Sequence, residues 1–297
     1  MPTKKPVRTA AAVPAKAAAA KAIPDRQAME GYLAAVTRSG AEDALLEAQN
    51  VIYDAWEQAT ARSRTARKAL AISPLCADAY NLLAEVAATA AEARDLYTRG
   101  IEAGELALGP AGFKEYEGHF WGFLETRPYM RARHGLALTL LELGEEEDAI
   151  GHFRAMLALN PNDNQGIRYL LLAALLRRGD TARVKALIRE YADEWSAQWL
   201  YTRLLLAYRG GDAAKVATLK LAKEASSANM HVPVMLAGTK PPVPSRDGYV
   251  TIGGADEATD YVREFGQAWK DTPGAIAWLI GTAEAAPLRR RANKLPT

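Results

Sequence analysis

Cysteine is almost absent from this chain of 297 residues, in which Cys76 is the single example. One thiol cannot form an internal disulfide or a zinc site built from cysteine ligands. It is consistent with a reducing compartment, and we predict a cytoplasmic protein. Because Cys76 follows Pro74 near the start of a predicted helix, we interpret it as a buried structural thiol rather than a nucleophile.

Motifs that carry catalysis or hold cofactors are also missing. None of the four histidines lies in an HExxH pattern or three or four residues from another histidine. Neither a phosphate-binding GxxxxGKS/T loop nor a GxSxG motif occurs. We therefore predict a non-enzyme without metal or cofactor. The local alternative is a metal or catalytic site at Glu115, Glu117 and His119, which otherwise form a polar face.

Long hydrophobic runs are missing as well. The longest is Tyr169–Leu176, with eight residues, whereas a membrane-spanning helix needs about 20. We therefore predict no membrane span.

Acidic residues are missing from both ends of the chain. Residues 1–24 carry five basic side chains and residues 287–297 carry four, whereas the residues between them have a net charge of −7. The Ala/Lys/Pro composition of 1–24 predicts a disordered tail, and 287–297 form a second basic tail. Basic tails favour polyanions, so nucleic-acid binding is one hypothesis, and solubility is the other interpretation of the charge.

The sequence does contain a repeated helical pattern. Ala149, Phe153 and Leu157 are a small and two large apolar residues at helical spacing, and Pro161 follows them at the same interval. This order matches the tetratricopeptide pattern, in which small residues let two helices approach and larger ones fill the gap to the next pair.

The turns between the predicted helices recur at a nearly constant interval. Gly144, Gly179 and Gly211 are separated by 35 and 32 residues, close to the 34-residue tetratricopeptide period. We predict an all-α fold, a right-handed superhelical solenoid of tetratricopeptide-like helix pairs over residues 25–228.

Two segments interrupt the repeat. Residues 104–127 are predicted to be an ordered insertion packed on the solenoid, because they contain five aromatic side chains: Phe113, Tyr116, Phe120, Trp121 and Phe123. Residues 229–254 are rich in proline and glycine and are predicted to be extended. Asp256–Trp269 and Pro273–Ala283 are predicted as two capping helices, which complete a C-terminal segment 229–286.

Several segments together resemble a known family. They are AMEGYLA, IYDAWEQA, ISPLCADAYNLLAE, GHFWGFLETRPYMRAR, NPNDNQGIRYLLL and TPGAIAWL. Over residues 26–285 the chain resembles a mainly bacterial family of tetratricopeptide-like proteins. The part around ISPLCADAYNLLAE is distantly similar to the vertebrate suppressor-of-tumorigenicity family. The resemblance implies a helical-repeat interaction protein and carries over no reaction, cofactor or catalytic residue.

A concave groove lined by the first helix of each pair is the predicted binding site. Aligning the repeats on Pro161 places six polar residues there: Asn81, Arg131, His134, Gln165, Arg168 and Tyr169. Two arginines beside a glutamine and a tyrosine suit a carboxylate or an acidic peptide. The alternative is that these side chains pack against the insertion and fill the groove from within.

These observations predict a non-catalytic scaffold that binds a peptide or partner protein in the groove, and an acidic partner is one hypothesis. Nucleic-acid binding through the basic tails is the first alternative, and an enzyme with its site in 104–127 is the second. No oligomeric state is predicted.

Overall fold

The structure is a computed structural model that describes residues 22–56, 61–213, 215–244 and 250–281. Within these ranges the chain forms fourteen α-helices and no strand, which confirms the all-α prediction. The helices are α1 (Arg26–Ala35), α2 (Arg38–Trp56), α3 (Arg62–Ile72), α4 (Ala77–Ala84), α5 (Ala90–Glu115), α6 (Arg127–Glu142), α7 (Glu146–Leu159), α8 (Ile167–Arg177), α9 (Thr181–Glu190), α10 (Ala197–Arg209), α11 (Val216–Ala228), α12 (His231–Leu236), α13 (Ala255–Lys270) and α14 (Ala275–Gly281). The basic tails lie outside the described residues except for 22–24, and the nucleic-acid hypothesis stays a prediction.

Helices that follow one another in sequence pack against one another. Every helix from α2 to α14 contacts the next, and α4 also contacts both α2 and α6. Gly144, Gly179 and Gly211 follow α6, α8 and α10 with φ angles of 78°, 71° and 78°. Only glycine adopts this left-handed conformation without strain, so the regularly spaced glycines end these three helices.

The buried apolar side chains form two clusters. The first lies between α1 and α5 and includes Met29, Ile52 and Tyr80. The second extends from α5 to α14 and contains the fully buried Trp199 and Trp269. The partly buried ring of Tyr97 on α5 packs against both, so α5 joins the two halves of the core.

A glycine on α6 permits this junction. A Cβ atom added to Gly135 would lie 2.2 Å from Cε1 of Tyr97. We expect Gly135→Ala to lower the free energy of unfolding by about 1–3 kcal/mol, because the ring must be displaced from a packed site. Chemical denaturation would measure this change.

Gly151 provides the matched control, since it is an exposed helical glycine at which an added methyl group would meet no other atom. Gly151→Ala should raise stability by about 0.5–1 kcal/mol through helix propensity alone. Adding Tyr97→Leu to Gly135→Ala should recover part of the loss, and similar effects of the two alanines would contradict the proposed contact.

Residues 104–127 are not a separate insertion, because their first half continues α5. The helix runs to Glu115 across a kink at Gly109, where φ is 59° and Pro110 follows. The remaining turns return to the core: Phe120 is fully buried, and its amide donates to the Leu159 carbonyl at 3.3 Å. The Gly109-Pro110 pair therefore bends the helix rather than ending it.

The segment 229–254 is not fully extended, which corrects the sequence-based expectation. Its residues His231–Leu236 form α12, whose Val232, Val234 and Met235 are buried. Pro233 is tolerated because it lies in the first turn, where backbone N–H groups have no partner within the helix. The proline and glycine content of this segment therefore predicted extended chain where the structure has a short buried helix.

The helix α13 contacts helices both near to it and far from it in sequence. It packs against α10, α12 and α14 and reaches back to α8. Arg177 on α8 pairs with Glu264 on α13 at 3.7 Å, and Arg209 on α10 donates to the Ala268 carbonyl at 2.8 Å. Both α8 and α10 are first helices of predicted pairs, so α13 covers part of the face where the groove was predicted.

Within the described ranges, no helix combines the length and the apolar character needed to cross a bilayer.

Candidate functional site

The first predicted groove residues lie in a buried ion-pair network between α4 and α6. Nε of Arg131 donates to Oδ1 of Asp78 at 2.8 Å, and its Nη2 bonds to Oδ2 of the same carboxylate. The Asp78 side chain is fully buried and also accepts hydrogen bonds from Gln49 at 2.8 Å and Asn81 at 3.0 Å. Burial acts to lower the pKa of Arg131, but the bonds and the charge of Asp78 outweigh it, so the pKa is raised.

This network gives Asn81 and Arg131 a structural task. Asn81 is buried, and its amide also donates to the Pro128 carbonyl at 3.0 Å, which ties α4 to the start of α6. A guanidinium group that already holds a buried carboxylate bidentately is not available to grip an acidic peptide. Arg131 therefore links α6 to α4 through Asp78.

The second set of predicted residues lies at the start of α8. The Arg168 guanidinium bonds to the carboxylates of Asp163 at 3.1 Å and Glu194 at 2.7 Å, and it lies 4.7 Å from the ring centroid of Tyr169. Asp163 also accepts the amides of Ile167 and Arg168 at 2.7 and 2.9 Å and so caps the helix.

Glu194 connects this cluster to the turn before α10. Its Oε2 accepts from the Tyr169 hydroxyl at 2.8 Å, and its Oε1 accepts the amides of Trp195 and Ser196 at 3.1 and 3.0 Å. Burial would raise the pKa of Glu194, but the bonds from Tyr169, the Ser196 amide and Arg168 prevail, and the pKa is lowered. The ionised carboxylate thus fixes the backbone that presents Trp195.

The remaining two predicted groove residues, Gln165 and His134, belong to neither of these hydrogen-bond networks. The side-chain oxygen of Gln165 is buried without a hydrogen-bond partner among the described residues. His134 lies half-buried on α6, and desolvation lowers its pKa. The six predicted residues therefore form two separate clusters, Asn81 with Arg131 and Arg168 with Tyr169, while His134 and Gln165 stand apart from both.

Histidine burial leads to a pH-dependent stability. Desolvation lowers the pKa of His134, His152 and His231, and the neighbouring Arg133 and Lys240 lower the last two further. Below the ordinary histidine pKa of about 6.5, the unfolded chain takes up protons that the folded chain resists. We expect the free energy of unfolding to fall as the pH drops from about 7.5 to about 6.

Denaturation midpoints measured across this pH range would test the expectation. Replacing the three histidines together by glutamine should flatten the dependence, because the groups that titrate only in the unfolded state are then gone. An unchanged slope would contradict the assignment.

An exposed apolar groove lies beside the Arg168 cluster. It is a cavity of about 540 Å³ between α8, the turn before α10, residues 250–252 and α13, and we call it the Trp195 groove. Its lining includes Arg168, Tyr169, Glu194, Trp195, Val250, Ile252, Glu257, Asp260, Arg263 and Glu264. Trp195 is 58% exposed and Ile252 is 61% exposed, and Val250 is exposed beside them. These three exposed apolar side chains make the groove a candidate interaction site.

The groove is built on rigid supports. Glu257 is buried on α13 and accepts from the amides of Ala197 at 3.1 Å and Gly253 at 2.7 Å, and from the Asn229 side chain at 2.9 Å. One carboxylate therefore holds α10, α13 and the loop that carries Ile252 together. The lining contains four carboxylates and two guanidinium groups, so its charge is negative.

No candidate metal site emerges from the part of the chain that the structure describes. No three His, Cys, Asp or Glu side chains there are grouped as a metal ion requires, and Glu115, Glu117 and His119 do not form such a group. Glu117 and His119 are exposed and share no hydrogen bond. Cys76 is buried, and desolvation raises the pKa of its thiol to about 12. A protonated, buried thiol agrees with the structural role predicted for it.

Sequence reasoning predicted Arg168 and Tyr169, which line the Trp195 groove, but it missed Trp195, Val250 and Ile252. Trp195 lies four positions before Trp199, and the two share a helical pattern, yet Trp199 is fully buried and Trp195 is largely exposed. The available signal was the Glu194–Ser196 segment, where an acid and a serine mark the start of a helix. The contribution of residues 250–252 and α13 depends on packing that the sequence does not reveal.

Comparisons with known proteins extend the family resemblance beyond the segment around ISPLCADAYNLLAE. The chain is 27% identical to the Protein ST7 homolog of Drosophila pseudoobscura pseudoobscura, with 82% of this chain and 49% of that protein covered. It is 28% identical to the Suppressor of tumorigenicity 7 protein-like of Gallus gallus and to that of Mus musculus, again over 82% of this chain, with 48% and 47% of those proteins covered.

No family model and no solved structure matches the chain. The chain is thus distantly homologous to the suppressor-of-tumorigenicity proteins over 82% of its length, and it spans about half the length of the curated relatives it matches.

Proposed function

We propose that this protein is a non-catalytic interaction scaffold, a solenoid of tetratricopeptide-like helix pairs that binds a short segment of a partner protein in the Trp195 groove. The names of the distant homologues denote no enzymatic reaction, which is compatible with this proposal.

The helix order supports the repeat part of the proposal. Successive helices pack against each other, and glycines with positive φ end α6, α8 and α10 at intervals of 35 and 32 residues. Ala149 and Phe153 on α7 are fully buried, as the small and large positions of a tetratricopeptide helix require.

The exposed Trp195 beside Ile252 and Val250 carries the binding part of the proposal. A tryptophan left 58% exposed on a turn that Glu194 holds in place can bury a large apolar area when a partner arrives. Because Glu194 and Glu257 fix the surrounding backbone, little ordering is required on binding, and preorganisation favours affinity.

The charge of the groove defines the kind of segment that fits. Arg168 is paired with Asp163 and Glu194, and Arg263 is paired with Asp260 and Glu264. The excess of carboxylates favours a segment with one large apolar side chain next to a lysine or arginine. This occupant replaces the acidic peptide that the sequence predicted for Arg168.

Selection from a random peptide display library against the full chain would test the proposal. We expect the enriched peptides to share an apolar residue flanked by basic residues. Binding of the best peptide, measured by calorimetry, should weaken by at least about 2 kcal/mol in Trp195→Ser/Ile252→Ser, as for truncated hot-spot residues.

Leu46→Ser/Val216→Ser is the matched control, since Leu46 and Val216 are exposed apolar residues outside the groove. It should bind the peptide like the unchanged protein. Equal weakening in both variants, or enrichment of acidic peptides, would contradict the proposed groove.

A further inference from the structure

A second groove lies near the N-terminus, far along the chain from the Trp195 groove. It is a cavity of about 570 Å³ between residues 22–24, α1 and α3, and we call it the N-terminal groove. Its apolar lining includes Ile23, Pro24, Leu70 and Pro74. Its described lining shares no residue with the Trp195 groove, so the inference drawn from it is independent of the proposed function.

One wall of the N-terminal groove is anchored to the helices behind it. Nη1 of Arg99 on α5 donates to the carbonyl of Ile23 at 2.8 Å and to that of Pro24 at 3.4 Å. The Tyr80 hydroxyl on α4 donates to the Pro74 carbonyl at 2.9 Å. These bonds fix the backbone of Ile23, Pro24 and Pro74, which belong to the apolar lining. The groove is therefore formed before any ligand binds.

The opposite wall is a row of three cations. Arg64, Arg67 and Lys68 lie at i, i+3 and i+4 on one face of α3, and all three are exposed. Among the described residues, no carboxylate lies within 4.0 Å of any of the three, whereas Arg62 on the same helix pairs with Glu85 at 3.3 Å.

We propose that the N-terminal groove binds an acidic protein segment. An apolar side chain of the bound segment enters between Pro24 and Leu70, and carboxylates of that segment pair with Arg64, Arg67 and Lys68. The unsatisfied positive charge supplies electrostatic complementarity, and the apolar floor supplies the buried contact.

Other occupants fit less well. No aromatic side chain lines the groove in the described part of the chain, so a nucleic acid would find phosphate contacts there but no surface on which to stack its bases. The chain's own residues 1–21 carry the same sign of charge as the cationic wall.

Fluorescence anisotropy with the full chain would test the proposal. The probe is the fluorescein-labelled peptide EEDLLDEE, compared with the neutral peptide QQNLLNQQ and the serine peptide EEDSSDEE. We expect the first to bind more tightly than either of the others and to weaken as ionic strength rises, because exposed charges are screened.

Two variants locate the site. Arg64→Glu/Arg67→Glu/Lys68→Glu should weaken binding of the acidic peptide by about tenfold or more, because three attractions become repulsions. Ala71→Trp, which fills the groove without changing charge, should weaken it as well, since Ala71 is an exposed residue of the lining. Circular dichroism would verify that both variants are folded.

The matched control is Lys185→Glu/Lys220→Glu/Lys223→Glu, which makes the same change of net charge at exposed lysines of α9 and α11. It should retain at least half of the affinity. Equal losses in both triple variants, no binding of EEDLLDEE, or tighter binding of a polyuridine oligonucleotide that displaces the peptide would overturn the proposal.

Discussion

Replacing Arg131 with alanine is expected to lower the free energy of unfolding by about 3–5 kcal/mol, because the change leaves a buried carboxylate without its cation. The Asp78 side chain is fully buried, and the guanidinium of Arg131 makes two bonds to it. Gln49 and Asn81 would remain as neutral donors, which cannot offset the loss of a charge. Chemical denaturation monitored by circular dichroism would measure the effect.

The control for this prediction is an ion pair at the surface with a similar distance between the arginine Nε and the carboxylate oxygen. Arg38 and Glu42 pair at 2.9 Å, but both side chains are more than half exposed. Arg38→Ala should therefore cost less than about 1 kcal/mol. A comparable loss from the two substitutions would show that the Arg131 pair is not the buried link between α4 and α6 that we describe.

The large loss of stability expected for Arg131→Ala makes buried ion-paired arginines unsuitable positions for testing peptide binding. Arg131 and Arg168 are groove residues in the sequence-based prediction, but charge reversal at either would break ion pairs with Asp78 or with Asp163 and Glu194. Loss of binding in such variants would follow from loss of structure. Substitutions at exposed residues such as Trp195 and Ile252 test binding without breaking a buried ion pair.

The second large effect is expected at Glu257. Glu257→Ala should lower the free energy of unfolding by about 3 kcal/mol or more, since hydrogen bonds to a charged group contribute about 1.5–3 kcal/mol each and three donors lose their acceptor. These donors are the amides of Ala197 and Gly253 and the side chain of Asn229. The variant should also bind groove peptides more weakly, because the support of residues 250–253 is lost.

Glu224→Ala is the matched control, because Glu224 is an exposed glutamate of α11 and has no ion pair among the described residues. Its stability should stay within about 0.5 kcal/mol of the unchanged protein. If Glu257→Ala were equally mild, the buried carboxylate would not be the support of the Trp195 groove.

The bounds of several helices were predictable because local signals determine them. The sequence predicts a helix over Asp256–Trp269, and α13 spans Ala255–Lys270. Its apolar positions recur at helical spacing, and the glycine pair before it marks a start. By contrast, α12 escaped prediction because Pro233 suggests extended chain unless its place in a first turn is known.

The candidate site was less predictable because its contacts join residues far apart in sequence. Helical spacing indicates a face for Arg131 but not that Asp78, 53 residues earlier, lies there as a buried acceptor. Likewise, Glu257 contacts Ala197, which is 60 residues away in sequence. Which polar side chains face a partner and which face the chain itself depends on this tertiary pairing.

The two proposed grooves differ in charge. The Trp195 groove has an excess of carboxylates, and the N-terminal groove has three unpaired cations among the described residues. Among the described residues they share no lining residue, so the two proposals together predict that one chain holds a basic and an acidic partner segment at the same time. Bringing two such segments together is a task that suits a scaffold.

The most direct test of the scaffold proposal is a fluorine NMR spectrum of the full chain labelled with 5-fluorotryptophan. Trp195→Phe would identify the Trp195 resonance, and a peptide selected on the protein would then be added. We predict that the resonance of the exposed Trp195 shifts with saturation, while those of the buried Trp199 and Trp269 stay nearly constant. Binding that leaves the Trp195 resonance unmoved would contradict the account.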